Sequence, residues 1–118
     1  MESPLLARAT VLLAVLAGSP VHAREPVEPR RSEIVRMVRH DCGSCHGLTL
    51  QGGLGPALTP AALAGRPLDS LVSTILLGRP GTAMPGWARF LDESEARWVV
   101  TRLAEGFPRE VAQGERAR

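Results

Sequence analysis

Three stretches of the chain set apolar residues at helical spacing. In the first, Ile34, Val35, Met37 and Val38 recur at that spacing. Ser32 suits its N-cap, and Glu33 falls in the first turn, where the helix dipole favours an acid. The spacing predicts a helix over 33–43 whose apolar face continues through Cys42 and Cys45. In the second stretch, Leu68, Leu71, Val72, Ile75 and Leu76 form a stripe over 67–77, with Gly78 as the C-cap. In the third, Ala96, Val99, Val100 and Leu103 make the buried stripe, with Trp98 beside it. Asp92 caps this helix, Glu95 completes a capping-box pattern, and Gly106-Phe107-Pro108 ends it. A shorter helix over 61–64 is opened by Thr59-Pro60 and closed by Gly65.

Two loops lie between these helices. Residues 47–58 carry Gly52, Gly53 and Gly55 and close on Gly55-Pro56-Ala57-Leu58. A phosphate cradle fails here, because no Gly-Lys-Ser/Thr follows and no strand precedes. The glycines read instead as places where the backbone turns tightly. The stretch Gly78-Arg79-Pro80-Gly81-Thr82-Ala83-Met84-Pro85-Gly86-Trp87 is too rich in Pro and Gly for helix or strand. A long loop without structure of its own usually carries function.

The ends of the chain read differently. Arg8 precedes an apolar run over 9–17, too short to span a bilayer. Val21-His22-Ala23 then offers small-residue spacing for cleavage. Residues 1–23 are therefore expected to be a cleaved export signal; the competing reading, an uncleaved anchor, suffers from the short run. Residues 24–31, with Pro26 and Pro29, form a flexible lead-in, 32–106 the folded domain and 107–118 a polar tail. No later segment is apolar enough to cross a membrane.

Composition narrows the function. The 118 residues carry a net charge of +2, and every basic residue is an arginine. The arginines are scattered, so nucleic acid is a poor partner. A domain this small, with only Trp87, Phe90, Trp98 and Phe107 as aromatics, buries a modest core by itself.

Both cysteines of the chain lie in Asp41-Cys42-Gly43-Ser44-Cys45-His46-Gly47. C-x-x-C-H is the attachment signature of a c-type haem. Each thiol can form a thioether to one haem vinyl group, and the adjacent imidazole lies under the iron. Three other readings compete. A thioredoxin-like redox pair needs a βαβ pattern, and none is visible. A zinc site needs a second Cys pair, and His40 and His46 flank the first too closely for a tetrahedron. A disulfide so close in sequence would stabilise little. His40 reads as an ordinary helix-surface histidine. One covalently attached haem c is the expected cofactor, with Cys42 and Cys45 as its attachment points and His46 as an iron ligand. It would supply the missing apolar bulk, leaving the haem-free chain poorly folded.

A second axial ligand follows from elimination. A thioether suits haem iron. Past the signal, the only methionines are Met37, on the core face of the first helix, and Met84, in the Pro/Gly loop. Met84 is the candidate distal ligand, with plain packing of the loop as the alternative. The proximal His needs an acceptor for its free ring N–H, and the Pro56 carbonyl is one candidate, a plain turn proline the alternative. Trp87 could give its indole N–H to a haem propionate or simply pack against the haem edge.

The order of helix, C-x-x-C-H, Gly-Pro-x-Leu, helix, Met-Pro-x-Trp and helix resembles the small class I cytochromes c over about 32–106. Within that group, residues 41–47, 53–58 and 78–85 resemble the NirC-type cytochromes of denitrifying bacteria. The resemblance implies an all-α fold of three to four short helices around one haem, with the first and last helices crossing. It implies His46/Met84 ligation and single-electron transfer in the periplasm by a monomer that is not an enzyme. The implied redox partner is the nitrite reductase that carries haem c and a d-type haem; the alternative role is accessory, in maturation of that d-type haem. A gas sensor or peroxidase would need a vacant distal site, which Met84 opposes. Arg39, Arg66, Arg79 and Arg89 could ring the exposed haem edge and steer an acidic partner; for each of them ordinary solvated surface is the competing reading. One departure stands out: Arg102 replaces an aromatic common in the last helix, so Trp98 is expected to compensate.

Overall fold

The computed structural model describes residues 23–108. The export signal expected over 1–23, apart from Ala23, and the tail beyond Pro108 lie outside the described residues. Among the described residues the regular structure is entirely helical: α1 (Arg30–Met37), a π turn (Val38–Cys42), α2 (Gly43–His46), α3 (Pro60–Leu63), α4 (Leu68–Leu77) and α5 (Glu93–Glu105).

Helix α1 begins three residues before the expected start. Pro29 occupies the N-cap position. The carboxylate of Glu28 accepts from the Ser32 hydroxyl at 2.7 Å and from the Ser32 N–H at 3.4 Å. Glu28 thus does the capping expected of Ser32, which lies inside the first turn. Arg30 and Arg31 consequently belong to the helix and not to the lead-in. The helix also fails to continue as α through Gly43, because a π turn interrupts it at Val38.

The other boundaries follow the sequence pattern. Thr59 accepts from the Ala62 N–H with Pro60 at the first helical position. Asp92 and Glu95 form a reciprocal capping box, at 2.8 Å and 3.0 Å. Gly78 ends α4 with φ at +70°.

Packing joins the first helix to the last. Ile34, Val35 and Val38 share one apolar cluster with Trp98, Val99 and Leu103, and Leu50, Leu63 and Leu91 complete it. Two arginines pin the ends. Arg30 donates to both carboxylate oxygens of Glu95, at 2.6 Å and 2.9 Å. Arg39 donates to the carbonyls of Phe107 and Pro108 beyond the end of α5, at 2.7 Å and 2.8 Å. The two arginines thus tie the start of α1 to the first turn of α5, and the π turn to the residues that follow α5.

Arg39 is therefore engaged with backbone carbonyls of the fold. Its guanidinium lies 5.4 Å from the centre of the Phe107 ring and closes the bottom of the helix pair. Phe107 in turn meets Trp98 edge-on at 6.3 Å. Trp98 is buried in the cluster that also holds Ile34, Val35 and Val38. Phe107 belongs to the packed domain, although the expected tail starts there. Arg102 turns to Glu105 at 2.6 Å, and its buried Nε has no hydrogen-bond partner among the described residues.

The Glu95 carboxyl is held below its ordinary range first by the Arg30 guanidinium and then by the Asp92 N–H, against some desolvation. A lowered folded value means stability that is present above the unfolded pKa, near 4.3, and lost as pH falls through the folded value. Glu95→Gln keeps the capping geometry and removes the charge. It should cost about 1 kcal/mol at pH 7, discounted because Arg30 is over a third exposed, and the gap to the parent should close in acid. Guanidinium unfolding of the haem-loaded protein at pH 7 and pH 3 measures both.

Candidate haem site

The segment Cys42 to His46 spans the end of the π turn and the single turn of α2. His46 is 9% exposed. Cys42 is half-buried and packs on the core cluster, while Cys45 is exposed. The continuation of the α1 apolar face thus runs through Cys42 and His46, not through Cys42 and Cys45. Both thiols are free. Burial, and then the neighbouring Asp41 charge, push the Cys42 thiol up to about 11. It is neutral at physiological pH, unlike the activated thiolate of a redox-exchange pair. Among the described residues no group of three or more His, Cys, Asp or Glu could hold a metal ion, which leaves the zinc reading without support.

The loop over 47–58 clamps this turn from below. The Gly55 N–H donates to the Cys45 carbonyl at 2.8 Å, and the Gly52 N–H to the His46 carbonyl at 2.7 Å. The last carbonyls of α2 are thereby satisfied. The same fold-back brings Pro56 under the imidazole. His46 Nδ1 lies 2.6 Å from the Pro56 carbonyl oxygen. A carbonyl only accepts, so Nδ1 carries the hydrogen and Nε2 keeps its lone pair. Gly55 permits this approach: a Cβ there would fall 2.8 Å from His46 Cε1 and 2.9 Å from Nδ1.

Met84 sits half-buried in a tied loop. Its carbonyl accepts from the Arg79 N–H at 3.2 Å, and its N–H donates to the Thr82 hydroxyl at 3.3 Å. Thr82 closes the turn by donating twice to the Arg79 carbonyl, at 3.0 Å and 2.7 Å. The neck of the loop is backbone against backbone. A Cβ on Gly78 would lie 2.6 Å from Gly86 N and 2.7 Å from the Met84 carbonyl oxygen. Leaving the loop, the Trp87 and Ala88 N–H groups donate to the Ile75 and Leu76 carbonyls, at 2.9 Å and 3.2 Å, and cap α4.

Trp87 is half-buried on the core cluster and tilts against Phe90 at 5.7 Å. Cys42, Leu58 and Trp87 all pack on that one cluster. The attachment turn, the glycine loop and the methionine loop therefore border a common core. Glu28, Arg30 and Arg39, which hold α1 in place, were not legible as anchors. Arg30 and Glu95 are 65 positions apart, and no local pattern pairs them.

The sequence matches a family model described as "Cytochrome C oxidase, cbb3-type, subunit III" over residues 29–101. It is 52% identical over 104 residues to a cytochrome c55X of Stutzerimonas stutzeri, covering 88% of each chain. This chain belongs to the cytochrome c55X family. A solved structure titled "c-type cytochrome NirC" superposes with a TM-score of 0.67 at 56% identity, covering 69% of this chain and 95% of that one. A second, titled "Dihydro-heme d1 dehydrogenase NirN in complex with DHE", matches at 38% identity and a TM-score of 0.56, over 65% of this chain but only 17% of that one. The cytochrome c55X fold is thus also found as a small part of a larger enzyme. Membership settles the fold as that of a class I cytochrome c, and the cofactor as one covalently bound haem c. The local chemistry fits it: a Cys pair followed by an imidazole whose Nε2 lone pair is left free. No helix among the described residues is long and apolar enough to cross a membrane.

Gly55→Ala tests the clamp. The added methyl must displace the imidazole or the loop and break the bond to Pro56. A loss of about 1–3 kcal/mol is expected in equilibrium unfolding of the haem-loaded protein.

Proposed function

We propose that Cys42 and Cys45 would hold the haem by thioether bonds, that His46 Nε2 and Met84 Sδ would ligate its iron, and that the protein carries single electrons in the periplasm. The observation that carries this reading is the hydrogen bond from His46 to the Pro56 carbonyl. It fixes the imidazole orientation and tautomer, as the outer partner of a ligating histidine does. When bound, the haem supplies a one-electron Fe(III)/Fe(II) change. The residues of the chain supply the rest. Pro56 orients His46, the Arg79–Met84 turn holds the thioether, and Trp87 packs on the core cluster that Cys42 also borders. A His/Met pair raises the potential, and a loop tied at its neck limits rearrangement between redox states.

The partner reading rests on charge. Arg66, Arg79 and Arg89 are exposed and make no side-chain ion pair with another described residue. Six of the nine described carboxylates, by contrast, are already engaged: Glu33 and Glu95 with Arg30, Glu25 with Arg31, Asp69 and Glu93 with Arg97, Glu105 with Arg102. The surface left for a partner is positive, which suits an acidic face on a nitrite reductase carrying haem c and a d-type haem. A second reading, service in maturation of that d-type haem, draws support from the likeness to part of a dihydro-haem d1 dehydrogenase. Stopped-flow mixing of the reduced protein with purified nitrite reductase separates the two. Fast, saturable oxidation favours the carrier; no oxidation, with d-type haem lost in a deletion strain, favours the accessory role.

Met84→Ala should leave the haem attached, lower the potential by on the order of 0.1–0.3 V within the ~0.8 V that axial ligands command, and let carbon monoxide bind. A variant that keeps the parent potential and stays closed to carbon monoxide removes Met84 from the ligand set. Replacing Arg66, Arg79 and Arg89 together by Gln should slow association with the partner roughly 10-fold at low salt, a difference that fades as salt screens it.

A further inference from the structure

We infer that the π turn at Val38–Cys42 is a register device: it rotates Cys42 and His46 together onto the core face and keeps Asp41 in solvent. The Gly43 N–H donates to the Val38 carbonyl, five residues back, and to the His40 carbonyl, passing over that of Arg39. A turn of this kind accommodates one extra residue within a helix. At 3.6 residues per turn, each residue beyond it stands about 100° from its place in an uninterrupted α-helix.

The two registers bury different side chains. In an uninterrupted helix, the face of Ile34 at i, i+4, i+7 and i+11 would hold Val38, Asp41 and Cys45. The Asp41 carboxylate would then enter the apolar core without a cation to meet it, which is costly. With one residue inserted, the same face holds Ile34, Val38, Cys42 and His46. Burial follows the second register. Ile34 and Val38 are 0% exposed, His46 is 9% exposed, and Cys42 packs on the core cluster. Asp41 and Cys45 are exposed. Arg39 precedes the point where Gly43 closes the wide turn, so its hold on Phe107 and Pro108 does not depend on the inserted residue.

This places the inserted residue as a positioning element for haem attachment and rests on the proposed roles of Cys42 and His46. It also makes the helix asymmetric toward changes in length. Removing one residue from the π turn lets the helix close as plain α, with Cys42 and His46 returning to the i+7 and i+11 places. Adding one exceeds what a π turn takes up and carries both side chains about 100° off the face.

The test uses the full chain, produced in a host that attaches c-type haem. Three variants are compared with the parent: deletion of His40, deletion of Asp41, and insertion of one alanine after His40. The readouts are the mass of the chain with and without haem, the reduced absorption spectrum, and the far-ultraviolet circular dichroism. At least one deletion should keep attachment within roughly two-fold of the parent, with an unchanged low-spin spectrum and no loss of helix, while the insertion lowers attachment at least about 10-fold. If both deletions lose attachment as fully as the insertion does, or if the insertion is tolerated, the π turn is not the register device. A parent chain that takes up no haem would overturn the haem-ligand reading instead.

Discussion

One hydrogen bond organises the site: the imidazole of His46 against the carbonyl of Pro56, at 2.6 Å. It can form only if several other features hold. The helix must deliver His46 to the core side, the glycine loop must fold back under α2, and residue 55 must lack a side chain. The bonds from Gly52 and Gly55 to the carbonyls of His46 and Cys45 fasten that fold-back. Each is an ordinary amide-to-carbonyl hydrogen bond worth about 1 kcal/mol. Their combined effect is to leave one ring nitrogen with a lone pair and no freedom to turn away.

The remainder of the domain keeps this arrangement rigid with little material. The apolar cluster is small, so charged side chains close its ends. Arg30 seals the start of the α1/α5 pair through Glu95, and Arg39 seals the finish through the chain beyond Gly106. Arginine suits both tasks, since its planar fork can meet a carboxylate or two carbonyls at once. The pairing also shapes the outside. Several acids pair within the fold, while Arg66, Arg79 and Arg89 are exposed with no ion pair to another described residue.

Much of this was legible in the residues. Caps at Thr59 and Asp92 and stops at Gly78 and Gly106 are local chemistry, and they lie where the pattern places them. The contact between His46 and Pro56 was open as one of two readings and is present. Three things were not legible. The start of α1 depends on a Glu28 side chain reaching forward to Ser32, which competes with Ser32's own capping tendency. The π turn is hidden because the apolar residues Ile34, Val38, Cys42 and Cys45 also fit a plain helix; only Asp41, which that helix would turn toward the core, marks it. The arginine clamps join residues more than sixty positions apart, and sequence spacing carries no information at that range.

The tether between the methionine loop and α4 has a dynamic consequence. The residues just after Met84 serve as the C-terminal cap of α4, through Trp87 and Ala88 onto Ile75 and Leu76. The loop and the last turn of that helix are hence one cooperative unit. Swinging the loop away would strip two carbonyls of their donors and fray the helix, so with Met84 in the ligand role proposed for it, its release would also be a local unfolding event, governed by the opening free energy of α4's end and not by the flexibility of the loop alone.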